Sequence, residues 1–460
     1  MENSVIRKLL YEKYIAPTKR KKKGYIGIEI EMPLLNLKKE AVDFSVVHKV
    51  TKVFMEKFSF EVEGCDDEGN IYAAINTETG DILSYDCSYN NLELSLGREK
   101  KLHAIYQRFC CYYTFLKKEF ETYHHTLTGM GINPYRKYNH NIPIPNGRYR
   151  MLFHHLNSYS NYNIPKYFHS YPEYGLFSSA SQVQLDVEYE KLLTTIETFS
   201  RLEPIKAVLF SNSILLEEEE QLQCCRDMFW EDSTHGINPH NVGMFDCDFE
   251  SVEDLLSYLE TFSMYCVEKD GKYINFPPIP LQEYFKKRTM TGEYFDGNGY
   301  QKIEFAPEPC DLEYLRTFKF EDLTFRGTIE FRSVCCQPIG DCMTVAAFHL
   351  GLQENLEQLT ELLKKDTALY HHGYTAAELR RMFTYVKYPS FVSEENLYDL
   401  LHRIVDLAKD GLMKRSFGEE IYLEPLYKRI QKRTNPAREI LAAKEKGIAI
   451  EEMIQKYSEL

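Results

Sequence analysis

No stretch of the 460-residue chain reaches the roughly 18 consecutive apolar residues of a membrane span, and its beginning does not read as a signal peptide. The expectation is a cytoplasmic protein without a membrane partner. No C-x-x-C is present, which leaves a zinc site or a thioredoxin-like couple without support. Neither G-x-x-x-x-G-K-[ST] nor a G-x-G-x-x-G after a strand occurs, so a nucleotide would have to be held without a P-loop or Rossmann turn. An excess of basic residues is missing too: the net charge of -14 and pI near 5.6 argue against a nucleic-acid partner. The dense basic run Lys19 to Lys23 (KRKKK) reads as a solvated linker, with an anion-binding patch as the alternative. Internal repeats, low-complexity tracts and a clear interdomain linker are all lacking.

Of the 12 cysteines, six fall in the adjacent pairs Cys110-Cys111, Cys224-Cys225 and Cys335-Cys336. In a chain large enough to bury a core without covalent staples, these are expected to be reduced and mostly buried. The 34 tyrosines are spread throughout and read as half-buried packing groups.

Along the chain, residues 2–16 read as an amphipathic helix, 25–37 as a strand and 44–57 as a helix. A β-rich section runs to Gly97 with turns at Glu68-Gly69-Asn70 and Thr79-Gly80-Asp81. Apolar side chains at helical spacing from Leu102 to Phe120 predict a long helix over about 100–125, ended by His124-His125. Residues 129–180 read as a long loop interrupted by a helix from Arg148 to Tyr159, of the kind that forms lids or substrate walls. Further helices are expected at 189–203, 205–212 and 252–268, an exposed loop at 286–312, and helices from Thr344 onward with breaks near Gly373, Pro389, Gly418 and Pro436. Glu218 reads as an outward-facing acid. The division expected is an N-terminal helix and basic linker (1–23), one catalytic unit (24–445) and a helical tail (446–460).

Four strands carry acidic, amide or arginine side chains at alternate positions: GIEIE (27–31), LELS (92–95), SQVQLD (181–186) and TIEFR (328–332). With a side-chain period of two, Ile26, Ile28, Ile30 and Met32 point one way while Glu29 and Glu31 point the other, about 7 Å apart. Glutamate is a poor strand former and like charges across a sheet repel, so such a face is tolerable with cations between the carboxylates. Hard oxygen donors favour Mg²⁺ or Mn²⁺. A solvated outer face is the simpler alternative for any single strand.

FSSASQVQLD (177–186) followed by LEPIKAVLFSNS (202–213) resembles the plant-type and proteobacterial glutamate-cysteine ligases. GIEIE is similar to that family's G-x-E-x-E strand, LEL (92–94) to its F/L-E-L strand, GRYRM (147–151) to its R-Y-x-x-M helix and TIEFR to its hydrophobic-E-x-R strand. LAKDG (407–411) and TNP (434–436) recur near the end, and order and spacing agree over about residues 20–445. The resemblance implies an α+β, glutamine-synthetase-like fold: a curved antiparallel sheet with packed helices and a helical C-terminal portion. It implies ATP and Mg²⁺ as requirements, L-glutamate and L-cysteine or another amine as substrates, and an acyl phosphate that the amine displaces.

By the same resemblance Glu29 and Glu330 would hold a metal at the γ-phosphate with Gln182 nearby, while Glu31, Asp86 and Glu93 would hold a second. Asp86, seven positions before Glu93, is equally readable as a turn-capping acid. Arg332 would stabilise the transferring phosphoryl group, and Gln184 would line the ATP or metal site. Arg226 falls where the family clamps the α-carboxylate of glutamate, with a surface arginine as the alternative. Arg148 and Arg150 would line the substrate funnel. Ile30 between the glutamates, Ser333 to Cys336 after TIEFR, and the 286–312 loop depart from the family pattern and bear on the identity of the amine. The alternatives are a ligase for a different amine and a non-catalytic regulatory relative.

Overall fold

Ile26, Ile28 and Ile30 turn to the same side of the first strand, Ile26–Asn36, and are buried. Each has an apolar partner in register: Ile26 pairs with Leu185, Ile28 lies between Leu96 and Val183, Ile30 stands opposite Leu94, and the following Met32 opposite Leu92. This apolar row fixes the register, since a slip of one residue would turn the glutamates into the core. The computed structural model describes residues 3–162, 168–216 and 222–460; Glu218 lies outside them.

Nine strands form the main sheet. From one edge to the other the order is Glu321–Leu323, Thr328–Phe331, Ser181–Asp186, Ile26–Asn36, Asn91–Glu99, Ile82–Tyr85, Ile71–Ile75 and Glu61–Cys65, with His125–Leu127 pairing the far end of the first strand. All these pairings are antiparallel. Helices Phe44–Phe58, Leu102–Glu121, Leu192–Phe210 and Thr344–Glu354 cover the apolar face. The α+β class with a helical C-terminal portion is as expected.

Several boundaries differ from the sequence reading. The 189–212 region is one helix, Leu192–Phe210, that passes through Pro204. It is buried on nearly every side, so tertiary packing outweighs the missing backbone donor. The expected 252–268 helix stops at Leu259, and Ser263–Lys269 is instead a strand paired with Lys272–Pro280. Residues 286–312 are not an open loop: Met290–Phe295 and Tyr300–Phe305 form a hairpin whose turn is held by Asp296 accepting from the Asn298 and Gly299 amides. Together these strands make a second, four-stranded sheet. His125 does not end a helix; it is a buried strand residue whose Nε2 accepts from the Asp43 amide at 3.1 Å. All twelve cysteines are free and seven are buried. Among the described residues no helix is long and apolar enough to cross a membrane.

LAKDG and TNP are scaffold elements. A Cβ on Gly411 would stand 1.9 Å from the Gly351 carbonyl oxygen, so helices Thr344–Glu354 and Glu394–Arg415 cross with backbones in contact. Gly411→Ala is expected to cost at least about 1–3 kcal/mol, because neither backbone can yield without moving its helix. Chemical denaturation of the purified variant reads this directly. Asn435 caps the next helix at the Arg438 amide while its Nδ2 donates to the Val208 carbonyl and to Gln223.

Candidate functional site

The polar face of the main sheet opens into a cleft of about 460 Å³. Glu29, Glu31, Asp86, Glu93, Gln182, Glu330, Arg332, Arg226 and Arg148 all line it. They come from four strands, two helices and the turn after Tyr85, all distant in sequence. Arg150 is not with them: it pairs with Asp67 on the outside of its helix and stacks over Phe295. Neighbouring positions of GRYRM point in different directions, so Arg148 reaches the cleft and Tyr149 ties the helix to the Tyr85 carbonyl at 3.1 Å.

The amide beside Glu29 and Glu330 is Gln184 rather than the expected Gln182, which sits at Glu31. Gln184 Nε2 donates to both Glu29 (3.0 Å) and Glu330 (2.9 Å), while Gln182 Nε2 donates to Glu31 at 2.7 Å. Gln184 stands opposite Gly27, where a Cβ would come within 3.3 Å of the glutamine's own Cβ. The missing side chain leaves Gln184 room to lean between the two carboxylates. The Glu29–Glu330 pair therefore shares one amide donor, and burial, then Glu330 and Glu93, push the Glu29 carboxyl well above its ordinary range.

Glu31, Asp86 and Glu93 form the second group, with oxygens all within 4.8 Å of one another. Glu31 and Glu93 face each other directly in register. Burial, then the Asp86 charge, raises Glu31 to about 8 and Glu93 to about 7; Asp86 is itself raised by burial. The turn-capping alternative for Asp86 does not hold among the described residues, since its carboxylate accepts only from the Cys87 thiol and the neighbouring Asn90 amide goes to Ser88 Oγ. Three hard oxygen donors converging where their charges repel fit a divalent cation such as Mg²⁺.

Arg332 lies just past the last residue of its strand but stays on the Glu330 side. Its Nε donates to Gln182 Oε1 at 3.1 Å and stands 3.9 Å from Glu330, and one Nη donates to Asp322 and to the Thr317 carbonyl, each at 3.2 Å. Burial alone would lower its pKa, but Glu330, Asp322 and Glu29 outweigh it and the cation is held firmly charged. Arg226 is buried rather than a surface group. One of its Nη atoms donates to the Arg332 carbonyl at 2.9 Å, and its Nε has no hydrogen-bond partner among the described residues. FSNS supports it from behind: Ser213 Oγ accepts from the Arg226 amide, and Asn212 Nδ2 donates to the Gly129 and Cys336 carbonyls.

Sequence reasoning missed Asp322, which lies opposite Glu330 and is raised to about 6 by burial, against the pull of Arg332. It also missed Lys13, Tyr14, Trp230, Arg316 and Phe318 in the cleft wall. Alternation in FEDLTF was a usable signal for Asp322. Nothing local marks Lys13 or Arg316, because chain topology alone brings them to the cleft.

Paired carboxylates bridged by amides on one sheet face, with Arg226, Arg332 and Arg148 in the same cleft, are groups that could hold divalent cations and anionic ligands. The chain belongs to glutamate-cysteine ligase family 2, whose pattern matches residues 25–459. It is similar to chloroplastic glutamate–cysteine ligase A of Oryza sativa subsp. indica, 23% identical over 306 residues, 65% of this chain and 57% of the rice protein. The chloroplastic glutamate–cysteine ligase of Brassica juncea is 22% identical over 320 residues, 68% of this chain and 57% of that protein. The chain thus matches little more than half the length of these curated relatives. Among solved structures it is similar to the Francisella tularensis glutamate–cysteine ligase in complex with AMP (TM-score 0.49, 11% identity, 96% of this chain and 89% of that one).

Proposed function

We propose that this protein joins the γ-carboxylate of L-glutamate to the amine of L-cysteine at the expense of ATP, giving γ-glutamylcysteine for glutathione-type thiol synthesis. The observation that carries the reading is the convergence of Glu29, Glu330 and Arg332 with the Glu31–Asp86–Glu93 trio in one cleft, Gln184 donating to both Glu29 and Glu330. Mg²⁺ held by these carboxylates would neutralise the triphosphate and polarise its γ-phosphoryl oxygens. Arg226, which lines the cleft, pairs through its guanidinium with the α-carboxylate of glutamate and so orients the γ-carboxylate. An oxygen of that carboxylate displaces ADP from the γ-phosphorus, and the acceptor amine then attacks the acyl carbon, expelling phosphate and losing a proton. Arg332, fixed by Gln182, Asp322 and the Thr317 carbonyl, stabilises charge on the transferring group without reorganising.

A second reading keeps the acyl phosphate and changes the amine. It is favoured by a buried aromatic group beside the cleft wall: His155 Nε2, both nitrogens of His235 and the Tyr265 hydroxyl have no hydrogen-bond partner among the described residues. His155 stacks on Tyr265, and His235 packs on Phe318, which lines the cleft. Burial holds both imidazoles neutral, His155 at about 3 and His235 well below its usual range. A silent regulatory relative is disfavoured because such a protein has no use for mutually repelling buried carboxylates. A cytoplasmic setting, where the thiols stay reduced, belongs to the same proposal.

ADP release with ATP, Mg²⁺ and L-glutamate, screened against single amino acids and amines, tests both readings. The expected outcome is activity that requires glutamate, vanishes on chelation of the metal and is strongest with L-cysteine. A clear preference for another amine selects the second reading, and equal ADP release without any amino acid defeats both.

A further inference from the structure

The N-terminal segment precedes the family match at residue 25, yet it reaches the cleft: Lys13 and Tyr14 line it together with Asp322, Arg316 and Glu330. The segment is anchored by buried Ile6, Leu10 and Ile15 and by Arg7, which bridges Glu253 and Glu260. Helix Asn3–Leu10 then loosens into a π turn, Tyr11–Ile15, closed by the Ala16 amide donating to the Tyr11 carbonyl. Single π turns in helices are frequent at functional sites. Here the turn carries Lys13.

Lys13 Nζ donates to the Leu312 carbonyl at 2.6 Å and, among the described residues, makes no ion pair. Burial, only partly offset by Glu313 and Asp322 and reinforced by Arg316, lowers it to about 8. Arg316 likewise has no ion pair among the described residues, and its buried Nε has no hydrogen-bond partner. Two cations are thus held in the wall of a cleft, part-desolvated and without a carboxylate in contact. Such an arrangement is unfavourable until an anion arrives. Their position says which anion. Asp322, whose charge reaches Lys13, lies opposite Glu330 in register and accepts from Arg332, at the edge of the sheet away from the Glu31–Asp86–Glu93 trio.

We infer that Lys13, delivered by a segment outside the family match and assisted by Arg316, binds the β- and γ-phosphates of the nucleotide. This rests on the ligase reading for the identity of the anion. Lys13 is then a substrate-binding residue, and the N-terminal helix and linker belong to the active unit rather than preceding it.

The test is equilibrium binding of a β,γ-imido ATP analogue with Mg²⁺, and separately of AMP, to the full chain and its Lys13→Met and Lys13→Arg variants. Methionine keeps the alkyl stem that packs in the wall and removes the charge. The analogue is expected to bind Lys13→Met roughly 10-fold or more weakly, the loss of one charged hydrogen bond. AMP should bind all three proteins alike, and Lys13→Arg should restore most of the analogue affinity. Unchanged analogue binding to Lys13→Met overturns the inference. So does equal weakening for AMP, which marks a merely structural role. If the unaltered protein binds neither nucleotide, the ligase reading falls together with this one.

Discussion

Glu330→Gln is expected to leave a folded protein whose turnover falls by on the order of 10²-fold or more, since under the proposed mechanism the lost charge would act at phosphoryl transfer. The amide is isosteric, and its carbonyl oxygen can still accept from Gln184 Nε2, which now donates to Glu330 at 2.9 Å. What disappears is the negative charge beside Arg332 Nε and the hard anionic donor facing Glu29. Glu29→Gln should behave alike, because the two carboxylates share one amide and one task. Glu361, exposed and paired only with Lys365 a helical turn away, is the control, and Glu361→Gln should be silent. Steady-state ADP release beside a thermal melt separates lost chemistry from lost fold. Full activity in Glu330→Gln would remove the assignment of this strand to the site.

Much of this arrangement was legible because strand alternation is a rigid rule. Once Ile28 and Ile30 are assigned to the core, Glu29 and Glu31 have one face left, and the same holds for Gln182, Gln184 and Glu330 on their strands. What alternation does not supply is lateral offset. That Gln184 rather than Gln182 bridges Glu29 and Glu330 depends on Gly27 standing opposite Gln184, a relation between strands more than 150 positions apart. Arg150 was misplaced for a similar reason: in a helix, residues two apart face different sides, and only packing decided that Arg148 turns inward. The 252–268 region failed at a boundary, because SMYCVEK carries an apolar run readable at either period until its partner strand is known. The 296–299 turn was visible as Asp-Gly-Asn-Gly, a hairpin signal that the mixed charge around it obscured.

Arg226→Lys and Arg332→Lys should separate binding from catalysis, though less cleanly than strand position alone implies. A lysine at 226 keeps the charge but loses the planar fork. The apparent KM for glutamate should rise roughly 10-fold or more, the effect of losing one charged hydrogen bond, with little change for ATP. Arg226 also donates to the Arg332 carbonyl at 2.9 Å, so this variant is expected to show a modest fall in kcat as well. Arg332→Lys loses its contacts to Gln182, Asp322 and the Thr317 carbonyl together, and the lysine cannot span all three. Its kcat should fall by about 10²-fold or more, while KM for glutamate moves little, because the contact strengthens as charge shifts in the transition state. Kinetics with each substrate varied in turn distinguish the two. An unchanged glutamate dependence in Arg226→Lys would withdraw its role as the carboxylate clamp, leaving it as the group that positions Arg332.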